Sequence, residues 1–168
     1  MDYYPIFVDL KGKKVLIVGV GRFADEKIPK LKRAGAEIVQ LKSVTKQQIT
    51  NEFIFVFGAT GESKLNKKLA KWCAEKHILF NGVDDPQNCH FILPAVAQRG
   101  KLLMAVSTSG VSPYLASEIK KKLLTIFGED YTKLTEDVAK LRPKVLKKYK
   151  NFEDRMAFWK NYFMDKLP

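Results

Sequence analysis

The sequence is poor in cysteine and in long apolar runs, and both shortages exclude whole classes of protein. Cys73 and Cys89 are the only cysteines among 168 residues, and neither belongs to a C-x-x-C pair, so neither a disulfide framework nor a zinc module is predicted. The apolar runs at residues 15–20 and 102–106 are too short to cross a bilayer, and no basic segment followed by an apolar stretch opens the chain. We therefore expect a cytoplasmic protein without a membrane partner.

Acidic residues are also scarce: 18 Asp and Glu stand against 30 Lys and Arg, which leaves a formal net charge of +12. A surface with this excess attracts polyanions and raises their local concentration. Nucleic acid, an anionic membrane and a polycarboxylate substrate all fit that charge, as does a solvated lysine-rich face without a partner. Nucleic-acid binding ranks last, because the basic residues form no recognisable groove-reading motif.

Apolar strand segments alternate with helical segments through the first two thirds of the chain. Strands are predicted at residues 14–18, 37–41, 53–57, 78–83 and 102–107, and amphipathic helices at 23–34 and 63–76. This alternation favours a parallel sheet with helices on both faces, joined by right-handed crossovers. After residue 107 only helices are predicted, and their aromatic stripes are interpreted as core or subunit interface.

A glycine-rich turn joins the first predicted strand to the first helix. Gly19, Gly21 and Ala24 match a G-x-G-x-x-G/A dinucleotide fingerprint in the strand, turn and helix context that it requires. Gly19 permits the tight turn, Gly21 lets a pyrophosphate approach the backbone, and Ala24 keeps helix and strand close. The motif predicts a nicotinamide-nucleotide site, although many strand-to-helix turns use glycine without binding a ligand.

The end of the second strand leaves the choice of nucleotide open. A carboxylate normally stands about twenty residues after the fingerprint and binds the adenosine ribose, whereas this chain has Gln40, Leu41, Lys42 and Ser43 there. Gln40 or Ser43 can hydrogen-bond the ribose, and Lys42 tolerates a 2′-phosphate. NAD and NADP are therefore both candidates.

Two further segments can carry chemistry. Asp84 and Asp85 follow a predicted parallel strand, at the edge where open α/β sheets bind ligands. A carboxylate there can accept a proton while hydride leaves for a nicotinamide, although both residues equally fit a simple turn before Pro86. The hydroxyl-rich residues 107–113 can bind carboxylate or phosphate through backbone donors, or they serve as turn and helix cap alone. Cys89 and His90 are adjacent, which is poor chelating geometry, so no metal site is predicted.

Several separated blocks of the sequence resemble one known family. They are YPIFVDLKGKKVLIVG at residues 4–19, NGVDDP at 81–86, FILPA at 91–95, AVSTSGVSP at 105–113 and RMAFWKNYF at 155–163. Together they resemble the precorrin-2 dehydrogenase and sirohydrochlorin ferrochelatase family, which includes the N-terminal module of sirohaem synthase. The resemblance implies NAD-dependent removal of two hydrogens from precorrin-2, an anionic tetrapyrrole, to give sirohydrochlorin. In some members insertion of Fe²⁺ is a second activity.

The same resemblance implies roles for individual residues. Asp84 corresponds to the family's proposed general base. The implied cofactor-binding residues are Gly19, Gly21, Arg22, Phe23, Ser43, Val44 and Thr60, and the implied substrate-binding residues are Asn81, Thr108, Ser109, Gly110 and Ser112. The acetate and propionate carboxylates of such a substrate suit the net charge of +12.

The resemblance also implies an α/β fold class and an assembly. A Rossmann-like NAD-binding domain with a parallel sheet is expected at residues 1–93, a dimerisation region at 94–127 and a small C-terminal helical domain at 128–168. Members of the family are typically homodimers, so a homodimer is expected here.

Departures from the family pattern lie on the adenosine side of the expected cleft. The chain looks shortened between residues 40 and 59, and Glu26 replaces a common arginine. These changes affect the affinity and identity of the cofactor more than the fold. The rival hypothesis is therefore a tetrapyrrole-binding or chelatase-only module with a degenerate nucleotide site.

Overall fold

The computed structural model describes residues 3–164 and 166–167, so the predicted domain boundaries at residues 1 and 168 lie outside the described residues. The first part of the chain contains β1 (Lys14–Val18), α1 (Arg22–Arg33), β2 (Glu37–Leu41), β3 (Phe53–Gly58), α2 (Ser63–Ala74) and β4 (Leu79–Gly82). The second part contains β5 (Ala95–Arg99), β6 (Leu102–Val106), α3 (Pro113–Ile126), α4 (Asp130–Lys148) and α5 (Phe152–Met164). Short 3-10 turns lie at Lys46–Gln48 and Pro86–Asn88.

Strands β1 to β4 form one parallel sheet in the order β2-β1-β3-β4. The register aligns Val18 with Leu41 on one side and with Gly58 on the other, and Gly58 in turn with Gly82. Because all four strands run in the same direction, their last residues meet at one edge, which we call the carboxyl edge. The chain order reverses on either side of β1, and such a reversal opens a crevice in which α/β proteins bind ligands.

Alternating side chains of β1 bury both faces of this sheet. Leu16 and Val18 belong to a core that includes Leu69 and Cys73 of α2. Val15 and Ile17 belong to the opposite core, which includes Ala24 of α1 together with Phe55 and Phe57. A fully buried Val, Leu, Ile or Phe side chain contributes about 1.5–3 kcal/mol, so the turn that follows β1 starts from a firmly packed strand.

The fifth predicted strand does not join the parallel sheet. β6 pairs antiparallel with β5, a strand that the sequence analysis did not predict, from Ala95 opposite Val106 to Arg99 opposite Leu102. Gly100 and Lys101 alone connect the two strands, and a parallel pairing needs a crossover of about a dozen residues or more. The prediction that residues 102–107 lie in the parallel sheet is therefore wrong, whereas β1 to β4 confirm the parallel α/β class.

The chain divides into two compact units, Met1–Leu93 with Ser109–Val111, and Pro94–Thr108 with Ser112–Pro168. The first unit contains the parallel sheet, and the second contains the hairpin of β5 and β6 with three helices. In the second unit Arg99 donates from Nε to the carbonyl of Phe127 and from Nη2 to that of Leu124, both at 3.2 Å, so it ties the hairpin to α3. The division of this unit into a dimerisation region and a helical domain stays a prediction. Across the described ranges, every helix is too short or too polar to span a bilayer.

Candidate active site

The turn between β1 and α1, residues 19–21, lies directly against the backbone of Ala59. Gly19 has a φ of 119°, and a Cβ placed on it would lie 2.2 Å from the carbonyl oxygen of Ala59. A side chain is therefore excluded both by the backbone conformation and by contact with a main-chain atom. Gly21 has a φ of 90° with open space around it, so it leaves the backbone accessible at the start of α1.

The first residues of α1 place backbone donors at this turn. The first hydrogen bond of the helix runs from the amide of Asp25 to the carbonyl of Gly21, at 3.0 Å. The amides of Arg22, Phe23 and Ala24 therefore precede the ladder of internal hydrogen bonds. These groups and the positive end of the helix dipole favour a bound anion, so the turn fits the pyrophosphate of a dinucleotide.

Two predicted cofactor side chains lie on the solvent side of the turn. Arg22 forms an ion pair with Glu26, Nε to Oε1 at 3.0 Å, and both side chains are exposed. Such a surface pair restrains the guanidinium only weakly. Phe23 is apolar and yet 41% exposed. Both side chains are thus accessible to a nucleotide, and their role as cofactor contacts stays a prediction.

The adenosine side of the site, at the end of β2, presents amide and hydroxyl groups. Gln40 donates from Nε2 to the carbonyl of Gly19 at 3.0 Å, a contact that the sequence analysis did not foresee. Ser43 is exposed, whereas Val44 is only 9% exposed and packs in the core with α2. The Val44 side chain is therefore unavailable to a nucleotide, which could reach only its backbone.

Residues 42–52, all of them described, connect β2 to β3 through a 3-10 turn without an α-helix. Three contacts hold this connection to the end of α2. Lys46 forms an ion pair with Glu75, Nζ to Oε2 at 2.5 Å, and Lys76 donates from Nζ to the carbonyls of Ile49 at 2.5 Å and Lys46 at 3.3 Å. The hydrogen bond from Lys46 lowers the pKa of Glu75. The connection that looked shortened in the sequence is thus short and also well attached.

A buried amide beneath the ends of β3 and β4 was missed by sequence reasoning. Asn66, in α2, is 2% exposed, and its Oδ1 accepts a hydrogen bond from Thr60 Oγ1 at 3.2 Å. Thr60 Oγ1 also accepts from the amide of Glu62 at 3.1 Å. A Cβ on Gly58 would lie 2.6 Å from Asn66 Oδ1, so glycine is required where this amide packs. The available signal was a polar residue at the apolar spacing of α2, three positions before Leu69.

The loop after β4 holds Asp84 in a left-handed conformation. Asp84 has a φ of 55°, which Asp tolerates better than most residues, and it is exposed. Val83, just before it, donates its amide to the carbonyl of Gly58 at 2.9 Å. This bond extends the pairing of β3 and β4 by one residue. Asp84 therefore lies at the carboxyl edge, next to the end of β3.

The thiol of Cys89 fastens the Asp84 loop. Its Sγ accepts a hydrogen bond from the amide of Gly82 at 3.2 Å and lies 3.2 Å from the carbonyl of Asp85, to which it donates. Burial raises the pKa of the Cys89 thiol, so the group keeps the proton that it donates. The sequence analysis considered Cys89 only as a candidate for a disulfide or a metal site, whereas these hydrogen bonds show that it stabilises the loop.

The two aspartates of the loop differ in their surroundings. Asp85 Oδ1 accepts a hydrogen bond from Asn88 Nδ2 at 2.7 Å, so Asp85 shapes the turn that follows. Asp84 makes no hydrogen bond or ion pair within the described part of the chain. Of the two carboxylates, Asp84 is the one available to a ligand.

Asn81 supports the same loop from below. It is 8% exposed, and its Nδ2 donates to the carbonyl of Phe91 at 2.9 Å. The amide therefore connects β4 to the segment that follows Cys89. Its predicted contact with a substrate stays a prediction.

The residues before α3 form a closed turn. Thr108 Oγ1 donates to the carbonyl of Ser112 at 3.0 Å and accepts from the amide of Ser112 at 2.9 Å. Ser112 Oγ in turn accepts from the amide of Leu115 at 3.2 Å and caps the helix. Ser109 and Gly110 adopt left-handed φ values of 54° and 87°. Thr108 and Ser112 thus perform turn and cap roles, and substrate binding by residues 108–112 stays a prediction.

Known proteins resemble this chain over nearly its whole length. Siroheme synthase of Zymomonas mobilis is 33% identical over 97% of this chain and 39% of that protein, and siroheme synthase 1 of Serratia proteamaculans is 33% identical over 97% and 38%. This chain thus spans about two fifths of the length of these curated relatives. The solved structure of "SirC, precorrin-2 dehydrogenase" superposes with a TM-score of 0.77 at 25% identity, covering 98% of this chain and 90% of that one.

These matches confirm the resemblance and the Rossmann-like α/β class inferred from the sequence. The family model described as putative NAD(P)-binding matches residues 6–47 and 39–95, which include the glycine turn, the end of β2 and the Asp84 loop. The match also confirms the expected class of cofactor. More than half of the chain is covered, and the chain therefore belongs to this putative NAD(P)-binding family.

Proposed function

We propose that this chain dehydrogenates precorrin-2 to sirohydrochlorin, with NAD⁺ as the hydride acceptor. One observation carries the proposal: the glycine turn and the Asp84 loop adjoin the end of the same strand. Gly19 lies against the carbonyl of Ala59, directly after β3, and Val83 bonds to Gly58, the last residue of β3. An anion-binding turn and an available carboxylate thus flank β3 at the carboxyl edge, where parallel sheets bind ligands.

Two hydrogens leave the substrate in this reaction, one as a hydride and one as a proton. When bound, NAD⁺ supplies the nicotinamide ring that takes the hydride. The amides at the start of α1 hold the pyrophosphate, and the Asp84 carboxylate accepts the proton as general base. Asp84 suits that role because no hydrogen-bond donor in the described residues occupies its oxygens.

The relatives and the charge support the same substrate. A solved relative bears the name precorrin-2 dehydrogenase, and the curated relatives are siroheme synthases. Precorrin-2 carries several carboxylates, and the chain has a formal net charge of +12. Electrostatic attraction therefore raises the concentration of this substrate at the protein surface.

The assembly that we propose is a cytoplasmic homodimer formed through residues 94–127, followed by a helical domain at 128–168. The support comes from the hairpin of β5 and β6. Among residues 3–164 and 166–167 each of its strands pairs only with the other, and the hairpin exposes Val96 and Leu103. Strands with free edges and exposed apolar side chains are sites of association with another chain.

One observation favours a rival function, a tetrapyrrole-binding or chelatase-only module with a degenerate nucleotide site. The connection after β2 contains no crossover helix, and its one carboxylate, Glu52, is paired with Lys14 at the start of β1, the opposite end from the glycine turn. Fe²⁺ would then be the substrate, and Asp84 would draw protons from the ring nitrogens before the metal enters. Within the described residues no group of three His, Cys, Asp or Glu side chains can hold a metal ion.

Lys42 is exposed at the same edge, which keeps NADP as an alternative to NAD.

An anaerobic assay that follows precorrin-2 absorbance with NAD⁺, then NADP⁺, then Fe²⁺ tests both functions. We expect conversion to sirohydrochlorin with NAD⁺, and NAD⁺ should raise the melting temperature because it binds only the folded chain.

Asp84→Asn should lower kcat at least about a hundredfold, since general bases typically contribute that much. Asp85→Asn is the matched control, and it should keep most of the activity because asparagine retains the oxygen that accepts from Asn88. Tetrapyrrole binding without turnover of either nucleotide would establish the rival function.

A further inference from the structure

Lys27 of α1 reaches toward the sheet, although most lysines of the chain are exposed. Its Nζ lies 5.2 Å from the centroid of the Phe57 ring on β3, and the residue is half-buried. Within the described part of the chain Lys27 forms neither a hydrogen bond nor an ion pair. A cation–π contact of this kind holds the ammonium group in place but does not neutralise it. The three N–H donors of Lys27 are therefore available to an anion.

The charges that face Lys27 leave it without a full counter-ion. Burial lowers the pKa of its ammonium group, and the like charge of Lys30 adds to that effect. Cys89, Glu26 and Asp84 act in the opposite direction and more weakly than burial. A partly desolvated cation gains more from a bound anion than an exposed one does, because water screens the exposed charge.

We propose that Lys27 binds a carboxylate of the tetrapyrrole beside Asp84, an inference that rests on the function proposed above. The Phe57 ring that Lys27 contacts lies 5.7 Å, centroid to centroid, from the ring of Phe91, in the segment that follows β4. Val83, the residue before Asp84, packs against the same core as Phe57, whereas the amides that suit a pyrophosphate belong to residues 22–24. Among the neighbouring cations of α1, Arg22 is already paired with Glu26, and Lys30 is exposed. Lys27 is therefore the cation of this helix that the fold directs to the Asp84 loop.

Binding at Lys27 would orient the substrate as well as hold it. A flat ring with carboxylates at its periphery is fixed in rotation when one of those carboxylates is anchored. An anchor next to the general base keeps the proton to be removed within reach of Asp84, and such orientation supplies part of the rate enhancement of many enzymes. Lys27 thus acts as a substrate-binding residue and takes no part in proton transfer.

The experiment titrates sirohydrochlorin, the product, into the full chain without NAD⁺ and follows its absorbance. Lys27→Gln should weaken binding roughly tenfold, because a charge-assisted hydrogen bond is lost. Lys27→Arg should stay within about threefold of the wild type, since it keeps the charge. Lys32→Gln is the matched control, an exposed lysine five positions further along the same helix, and it should change binding less than about twofold. Affinity for NAD⁺ should be unchanged in all three variants.

The pH dependence of sirohydrochlorin binding distinguishes a substrate-binding lysine from a purely structural one. Lys27 is charged below its lowered pKa, so sirohydrochlorin binding to the wild type should weaken as the pH rises through that value. The guanidinium of Lys27→Arg stays charged throughout, so this loss should be absent in Lys27→Arg and in the already weak Lys27→Gln. If ionisation of the Cys89 thiol caused the loss of sirohydrochlorin binding at high pH, the loss would appear in the wild type and in both variants, because all three contain Cys89.

Each outcome decides the inference. Unchanged sirohydrochlorin binding in Lys27→Gln overturns it and leaves the proposed function intact. Weakened binding of NAD⁺ instead of sirohydrochlorin also overturns it, because the cation then contacts phosphate. A wild type that does not bind sirohydrochlorin removes the proposed function and the inference together. If Lys27→Gln does not fold, the pH series on the wild type and Lys27→Arg decides, and identical pH profiles overturn the inference.

Discussion

The carboxyl edge of the parallel sheet is built differently over β3 and β4 than it is beyond β2. Over β3 and β4, side chains of Asn66, Asn81 and Cys89 make hydrogen bonds away from solvent and fix the loops on either side of Asp84. Beyond β2, Lys42 and Ser43 are exposed, and surface bonds hold the connection. The difference indicates that the region in which we propose proton transfer is preorganised, whereas the proposed adenosine region tolerates change.

The largest expected effect comes from Gly19→Ala, because both regions depend on that turn. The new methyl group would meet the carbonyl of Ala59 at 2.2 Å, and the φ of 119° disfavours any side chain. We expect a loss of about 2 kcal/mol or more in the free energy of unfolding, together with loss of NAD⁺ binding. Urea unfolding and NAD⁺ titration measure the two effects.

Gly12→Ala is the matched control for this variant. Gly12 also has a positive φ, 67°, but nothing lies within 4 Å of its added Cβ. Only the backbone strain remains, which costs about 1–2 kcal/mol, and NAD⁺ binding should be retained. Equal effects of the two substitutions on NAD⁺ binding would contradict the close approach of residue 19 to Ala59.

A smaller effect is expected from Asn66→Ala, which tests the preorganised region alone. The hydroxyl of Thr60 loses its acceptor, and a buried cavity replaces the amide, so the free energy of unfolding should fall by about 1–3 kcal/mol. The value of kcat/KM should fall as well, since Asn66 packs beneath the ends of β3 and β4. Asn51→Ala, an exposed counterpart, should change neither quantity measurably. Full activity in Asn66→Ala would show that this region is less preorganised than we infer.

The smallest effect is expected from Glu75→Gln, which loosens the connection on the adenosine side. Lys46 lowers the pKa of Glu75, so the ionised carboxylate stabilises the fold above the pKa of the unfolded chain, and this contribution disappears as the pH falls through the folded-state value. The denaturation midpoints of wild type and variant should differ slightly at pH 7 and coincide in acid. High salt should also reduce the difference, because the pair is exposed. A difference that grows on acidification would refute the assignment.

The parts of the fold set by local pattern were predictable from the sequence. The bounds of β1 and β2 agree with the predicted strands at 14–18 and 37–41, because apolar, β-branched runs ended by glycine or polar residues leave little choice. The turn at residues 19–21 was recognisable because glycine is the residue that its positive φ values require. Asp84 was expected at the end of a strand, and it follows β4 by two residues.

The remaining parts of the fold and of the site were not predictable in the same way. β5 has the sequence Ala-Val-Ala-Gln-Arg, with a single β-branched residue, so there was no clear sequence signal for the antiparallel partner of β6. The hydrogen bonds from Thr60 to Asn66 and from Cys89 to Asp85 depend on the paths of the loops after β3 and β4. Side-chain hydrogen bonds of this kind depend on how elements meet in space, and no periodicity records them.

The position of Cys89 bears on how chemical labelling of this protein should be interpreted. Its thiol hydrogen-bonds to both sides of the loop that carries Asp84. A reagent that alkylates Cys89 would remove the proton and the space on which those bonds depend, and the loop would lose its anchor. Inactivation by such a reagent would therefore report damage to the loop that carries the proposed general base, and it would not identify a sulfur nucleophile.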